Sequence, residues 1–222
     1  MSTVSGRRSS SRQWLIYMND YWLKYSQTLA QSLAATEVKS AAGEVLTMTG
    51  ALPLLCQMAK EVQAVRGTMH FVGNGASACM ASHMAVDWTK NAGVRALVYN
   101  DTAFLTAIGN DLGYDQVFAQ PVSWFAEPGD LLVTISSSGN SPNVLKAIEA
   151  ARQKKIRVVT FSGMKANNAS RQLGDLNCFV PGWTYGLVEC AHQVLLHAWL
   201  DAYMGVHGWD LTAPQVITPP VR

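Results

Sequence analysis

The spacing of apolar residues changes character near residue 68 of this chain. Before that point, apolar positions recur at helical spacing in two stretches, from about 14 to 33 and from about 45 to 65. After it, short apolar runs alternate with longer stretches of helical periodicity. Five of these runs predict buried strands, at 69–72, 95–99, 131–135, 157–161 and 177–180.

Helices are predicted between and after the strands, at 78–92, 102–109, 115–126, 142–154, 167–172 and 187–204. This alternation predicts an α/β fold, with a parallel sheet between two layers of helices and two N-terminal helices before it. The strands are apolar throughout, which indicates that both faces of the sheet are covered.

One domain is predicted over residues 1–222, because no linker or internal repeat divides the chain. We expect four segments within it: a lead-in without fixed structure, the N-terminal helices, the α/β core and an extended tail. Their predicted bounds are 1–12, 13–66, 67–205 and 206–222.

Composition limits the partners and the cellular location that can be expected for the protein. Charged residues make up only 14% of the chain and hydrophobic residues 49%, whereas soluble domains average roughly 25% charged residues. We therefore expect part of the surface to be hidden in an oligomer. The net charge of +2 and the lack of a long apolar run argue against nucleic-acid and membrane partners. Four scattered cysteines and no export signal predict reduced thiols and a cytoplasmic location.

A glycine-containing loop, Gly73–Ser77, joins the first predicted core strand to the following helix. Glycines allow close approach of a ligand, and the helix N-terminus offers free N–H groups. Alone, the loop fits a plain tight turn, a phosphate or sugar loop, or a dinucleotide loop; for the last, Ala78 stands at the third glycine of the fingerprint. Cys79, beside it, is expected to be a small buried residue.

A serine-rich loop, Ser136–Ser141, is the stronger signal. It follows the strand at 131–135 and precedes Pro142, which suits the first position of a helix, so Ser141 is the predicted N-cap. Four hydroxyls then surround a helix N-terminus without an acidic residue, an environment suited to a phosphate. A turn that merely caps the helix is the alternative. The loop lacks the lysine of a nucleotide-binding P-loop.

These two loops, with Asn110-Asp111-x-Gly113-Tyr114 between them, resemble the SIS (sugar isomerase) domain family, and within it the phosphoheptose isomerase group. The resemblance extends from about Phe71 to Ala202. It implies a three-layer αβα sandwich with a five-stranded parallel sheet, and a homotetramer whose active sites lie between subunits. It further implies a sugar-phosphate substrate. The residues that it implies for substrate binding are Asn74, Gly75, Ser77, Asp101, Ser136, Ser138 and Ser141.

The acid–base and metal candidates lie on two helices. His83 and Asp87 are four residues apart and so project from one helix face. The resemblance implies that Asp87 is the catalytic base and His197 the acid, and that His83, Asp87, Glu189 and His197 bind a divalent metal, zinc above all. The family has glutamate at 87 and glutamine at 189. The shorter aspartate loses on the order of 1 Å of reach, which can cost ~100-fold in rate. His70, His192 and His207 are assigned to structure.

Two functions from different classes follow. The first is an aldose–ketose isomerase that converts sedoheptulose 7-phosphate to a heptose 7-phosphate through an enediol(ate), or an isomerase of another sugar phosphate. The second is a non-catalytic SIS protein that binds a sugar phosphate or associates with a replication initiator. Ionisable residues at all four acid–base and metal positions favour the enzyme.

Overall fold

A computed structural model describes residues 11–206, with side chains for Met18 and from Asp20 onward. The helices are α1 (Ser11–Ala34), α2 (Met48–Ala64), α3 (Ala76–Lys90), α4 (Thr102–Asp111), α5 (Ala119–Phe125), α6 (Pro142–Gln153) and α7 (Tyr185–Met204). The strands are β1 (Glu37–Ser40), β2 (Val45–Thr47), β3 (Thr68–Gly73), β4 (Arg95–Val98), β5 (Leu131–Ser136), β6 (Arg157–Gly163) and β7 (Leu176–Val180). Residues 1–10 of the predicted lead-in and residues 207–222 of the predicted tail, His207 included, lie outside the described residues. Ser11 and Arg12, predicted as part of the lead-in, instead begin α1. Within the described part, no helix is long and apolar enough to cross a bilayer.

The sheet contains the five predicted parallel strands and two more. Its order is β2-β1-β7-β6-β5-β3-β4, and neighbours from β7 to β4 are parallel. The addition is a hairpin of β1 and β2, in which β1 pairs antiparallel with β7. The expected sheet of five strands is thus corrected to seven. The predicted helix from about residue 45 is also corrected, because Val45–Thr47 forms β2 and α2 begins at Met48.

Helices cover both faces of the sheet, which confirms the three-layer fold. One core contains α2, α3 and α7 against alternate strand positions such as Phe71 and Val133, with Trp88 and Trp199 fully buried at its centre. The other contains α4, α5 and α6 against the intervening strand positions, Leu132 among them. Adjacent residues of one strand therefore supply opposite cores, as a sheet buried on both faces requires.

The order in which the chain adds strands to the sheet reverses between β3 and β5. From β3 the chain passes through α3 to β4 on one side, and from β5 through α6 to β6 on the other. β3 and β5 are hydrogen-bonded neighbours, with Gly73 opposite Ile135. Such a switch point opens a crevice at the carboxyl ends of the strands, where ligands of α/β proteins bind. Both predicted loops, Gly73–Ser77 and Ser136–Ser141, begin there.

Candidate functional site

The first loop leaves β3 through a backbone approach that only glycine permits. A Cβ on Gly73 would lie 2.7 Å from the Cβ of Ser77 and 2.9 Å from the carbonyl oxygen of Ile135. Gly75 has a φ of 56° and occupies the N-cap of α3, where no side chain accepts a hydrogen bond from the helix. No side chain therefore covers the N-terminus of α3 at the crevice, although the amides of Ser77 and Ala78 donate to the carbonyls of Asn74 and Gly75 at 3.0 Å.

The serine loop leaves the N-terminus of α6 equally open. Ser141 is the N-cap residue and Pro142 the first helical residue, as predicted, but the side chain of Ser141 makes no capping bond. Its hydroxyl oxygen instead lies 3.3 Å from that of Ser136. The hydroxyl of Ser137 is buried without a hydrogen-bond partner among the described residues. The missing side-chain cap leaves the N-terminus of α6 available to an anionic ligand.

Other helices show that side-chain capping is available to this fold. The N-caps Thr47 of α2, Asp101 of α4 and Thr184 of α7 each accept a backbone hydrogen bond through the side chain. The oxygen Oδ1 of Asp101 accepts from the amides of Ala103 and Phe104, at 2.9 and 3.3 Å. The geometry thus gives Asp101 a capping role that the sequence analysis missed, while its contact with a sugar stays a prediction.

A buried asparagine supports the serine loop from below. Gly139 has a φ of 62°, and a Cβ there would lie 2.0 Å from Oδ1 of Asn168. Asn168 is buried and donates to the hydroxyl of Ser162 and to the carbonyl of Lys165. The amide of Ser170 donates to the carbonyl of Gly139 at 2.9 Å. The loop is therefore held by the segment that joins β6 to β7, a contact that the sequence pattern did not predict.

A cleft of about 360 Å³ lies beside the first loop, and it is lined by Gly73, Asn74, Gly75, Ala78, Cys79, Ser82, Asn100, Leu105, Tyr114 and Phe118. Asn100 shapes its wall, because its Nδ2 donates to the carbonyl of Ala78 and to the hydroxyl of Ser82. Cys79 is exposed to this cleft, so the expectation that it is buried was wrong. Its position in the first turn of α3 turns the thiol outward while Met80 enters the core.

Two histidines and a carboxylate meet where α3 packs against α7. Nε2 of His83 lies 3.3 Å from Oδ2 of Asp87, and the rings of His83 and His197 are 5.2 Å apart between centroids. The side chain of His83 is 52% exposed and that of Asp87 19%. Nδ2 of Asn91 donates to the second oxygen of Asp87 at 3.3 Å. The i,i+4 pair thus faces the helix that carries His197, and one face of the group is open to solvent.

The chemistry of this group fits a divalent metal. His83, Asp87 and His197 each offer a ligand atom, and these atoms lie within 4.8 Å of one another. Two imidazoles and one carboxylate form a donor set that catalytic zinc sites use, with a fourth position left for substrate or water. Glu189 is half-buried and stands outside this group. It lies eight residues before His197 on α7, a rise of about 12 Å, so its predicted metal role stays a prediction.

The remaining described histidines have structural partners. Nε2 of His192 lies 3.1 Å from the carbonyl oxygen of Ser162. Complete burial lowers the pKa of His192 to about 4. His70 is buried between the hydroxyl of Tyr99, at 2.6 Å, and a carboxylate oxygen of Asp130, at 2.9 Å. Both side chains are fully buried, as their assignment to structure requires.

Sequence comparison with known proteins finds a matching family and matching relatives. The family model described as the SIS domain matches residues 28–163. The phosphoheptose isomerase of Campylobacter concisus is 36% identical over 160 residues, which cover 69% of this chain and 84% of that protein. The phosphoheptose isomerase of Thiobacillus denitrificans is 38% identical over 138 residues, covering 59% and 70%.

Solved structures agree with these sequence matches. The structure of phosphoheptose isomerase GmhA from Neisseria gonorrhoeae superimposes with a TM-score of 0.70 at 27% identity, over 86% of this chain and 98% of that one. A phosphoheptose isomerase from Francisella tularensis has a TM-score of 0.73 at 23% identity, over 85% and 97%; at that identity the match shows the fold alone.

Proposed function

We propose that this chain, which belongs to the SIS domain family and to its phosphoheptose isomerase group, interconverts sedoheptulose 7-phosphate and a heptose 7-phosphate. One observation carries the proposal. Asp87, a candidate base, lies on α3, the helix that begins at the first loop. His197, a candidate acid on α7, lies close to it on the same side of the sheet. The alternative of a non-catalytic binding protein is not favoured, because the matched relatives are named as isomerases and the acid–base group is present.

The phosphate of the substrate binds between the two loops. The hydroxyls of Ser136, Ser138 and Ser141 face it from the second loop, with Ser77 and Asn74 from the first. Support comes from the uncapped N-termini of α3 and α6, which add N–H groups and partial positive charge.

The reacting end of the sugar extends from the phosphate along α3. His83 lies seven residues after Ala76, which starts the helix, so it stands roughly 10 Å along the axis. Helical side chains lean back toward the N-terminus. A long, open-chain sugar with its phosphate at carbon 7 and its carbonyl at carbon 2 suits that separation.

Isomerisation requires one proton transfer at carbon and one at oxygen to form the enediol, and one of each again to convert the enediol to product. Asp87 removes a proton from carbon 1 while His197 donates one to the oxygen at carbon 2, which gives the enediol. Asp87 then returns its proton to carbon 2, and His197 takes the proton from the oxygen at carbon 1. The carbonyl has moved to carbon 1, and both residues have regained their starting protonation states.

A divalent ion, zinc being the best fit to two imidazoles and a carboxylate, would be held by His83, Asp87 and His197 and would polarise the carbonyl. Glu189 is a further candidate ligand if the assembled enzyme brings it closer.

A cytoplasmic homotetramer is the assembly that we propose. Support comes from large aromatic side chains that are exposed to solvent in the single chain. Trp22 of α1 is 74% exposed, and Trp183, just before α7, is 89% exposed. Exposed aromatics of this size are typical of subunit interfaces. The link between Tyr25 and Cys190, 3.9 Å apart, joins α1 to α7 beside them.

The test is the variant Asp87→Asn. It removes the base while keeping nearly the same shape, so turnover of sedoheptulose 7-phosphate is expected to fall at least ~100-fold. Calorimetric binding of inorganic phosphate is expected to stay unchanged. Glu149→Gln makes the same chemical change on the exposed side of α6 and should leave both quantities alone. Unchanged turnover in Asp87→Asn would remove Asp87 from the mechanism.

A further inference from the structure

Two asparagines tie the first loop to the helix of the second. Nδ2 of Asn74 donates to Oδ1 of Asn143 at 2.9 Å, and Nδ2 of Asn143 donates to Oδ1 of Asn74 at 2.8 Å. Asn143 directly follows Pro142 in the first turn of α6 and is 3% exposed. A reciprocal amide pair fixes both side chains, because each supplies a donor and an acceptor at once.

The third sequence motif joins the same pair. The hydroxyl of Tyr114 donates to Oδ1 of Asn74 at 3.4 Å. Tyr114 and Asn74 both line the cleft beside the first loop. The three conspicuous motifs of the sequence therefore converge on one side chain, that of Asn74.

We infer that Asn143 is a positioning residue, which orients the Asn74 amide toward the substrate phosphate. Two donors hold Oδ1 of Asn74 inside the pair, so this oxygen cannot face an anion. The Nδ2 group has a second hydrogen beyond the one given to Asn143. In the orientation that Asn143 imposes, that hydrogen is the part of Asn74 left for the phosphate. The identity of the sugar in this inference rests on the proposed function, whereas the contact between Asn74 and a phosphate does not.

Without Asn143, the Asn74 amide loses this constraint. Asn74 is only partly buried, so water can replace the lost partner and the side chain can rotate. In the rotated state, Oδ1 faces the phosphate and repels it. The effect falls on binding and not on the proton transfers, because Asp87 and His197 lie on α3 and α7 and do not contact Asn143 or Asn74 through any hydrogen bond that the structure shows.

The experiment is a double-mutant cycle on Asn74 and Asn143, each replaced by alanine. The readouts are kcat and KM for sedoheptulose 7-phosphate and the Kd for inorganic phosphate by calorimetry. Asn143→Ala is expected to raise KM and Kd on the order of 10-fold, as the loss of one net hydrogen bond predicts, with kcat changed less than about 3-fold. In the Asn74→Ala background the same substitution should have no further effect.

A matched control separates positioning from general stability. Asn177 of β7 is equally buried and its amide makes four hydrogen bonds, to Lys39, Thr160 and Gly174, away from both loops. Asn177→Ala should lower the melting temperature and leave KM and Kd unchanged.

Additive effects of the two alanines, or a fall in kcat at constant KM and Kd, would overturn the inference. A wild-type protein that binds phosphate but does not turn over the sugar would contradict the proposed function instead; the cycle is then judged on Kd alone.

Discussion

His192 is expected to make the protein sensitive to mild acid. Burial lowers its pKa from 6.5 to about 4, and its Nδ1 has no hydrogen-bond partner among the described residues. Between these two values the unfolded chain binds a proton that the folded protein refuses. Stability must therefore decrease as the pH falls through this window.

The size of the loss follows from the shift in pKa. Each unit is worth 1.36 kcal/mol, so full titration of a group displaced from 6.5 to about 4 costs about 3 kcal/mol. Between pH 7 and pH 4.5 we expect about 2 kcal/mol of that loss, since neither end of the interval titrates the group completely.

The variant His192→Gln isolates this contribution. Glutamine can donate to the carbonyl of Ser162 as Nε2 of His192 does, but it does not titrate. Urea unfolding at pH 7 and pH 4.5 gives a loss of stability for each protein, and the loss should be about 2 kcal/mol smaller in the variant. All other groups titrate alike in both proteins and cancel.

Equal losses in the two proteins would refute the reasoning. The imidazole resonances of the wild-type protein give a second test that needs no variant. They should show His192 neutral at pH 5, and a ring that is protonated there would contradict the burial argument.

Three further predictions concern the support of the serine loop, the loss of stability at low pH and the metal. Gly139→Ala should destabilise the protein by roughly 2–5 kcal/mol and abolish phosphate binding, because its Cβ must displace Asn168. The control is Gly43→Ala, at a glycine with a φ of 87° and no atom within 4 Å of an added Cβ. It should lower the free energy of unfolding by only about 1 kcal/mol. Equal losses for the two variants in urea unfolding would contradict the clash between Gly139→Ala and Asn168. For Asp130, burial raises the pKa, but hydrogen bonds from His70 and two backbone amides outweigh it and hold the pKa below 3.8. That stabilisation is present above pH 3.8 and is lost as the pH falls further, so Asp130→Asn should be less stable at pH 7 by thermal melting yet lose less below pH 4. Chelation of a zinc-loaded sample should lower the melting temperature, and added zinc should restore it; no change on chelation would argue against a metal.

The strand pattern predicted β3, β5, β6 and β7 because those strands are buried on both faces. The strand predicted at 95–99 was also found, as β4, but it lies at the edge of the sheet and is not buried as expected. The apolar runs of the four buried strands are continuous and stand out from the helices between them. The hairpin of β1 and β2 was missed for the opposite reason. Of β1 only Val38 is buried, and its pairing depends on β7, far away in the chain. A short, largely exposed strand has no local signal of this kind.

The same distinction applies to the site. His83 and Asp87 were found because their contact is local, one helical turn apart. Asn143 and Asn168 were not found, since each acts on a residue that the sequence places far from it or in another loop. An asparagine near a helix N-terminus is common in any protein, and only the structure shows which amide it faces.

The most direct test of the central claim is turnover of sedoheptulose 7-phosphate in D₂O, followed by NMR with and without added zinc. The account predicts a heptose 7-phosphate that carries deuterium at carbon 2, because Asp87 exchanges its proton with solvent before returning it. It also predicts that Asp87→Asn forms no such product at the wild-type rate. Wild-type protein that binds the sugar phosphate but forms no aldose, with or without zinc, would contradict the account.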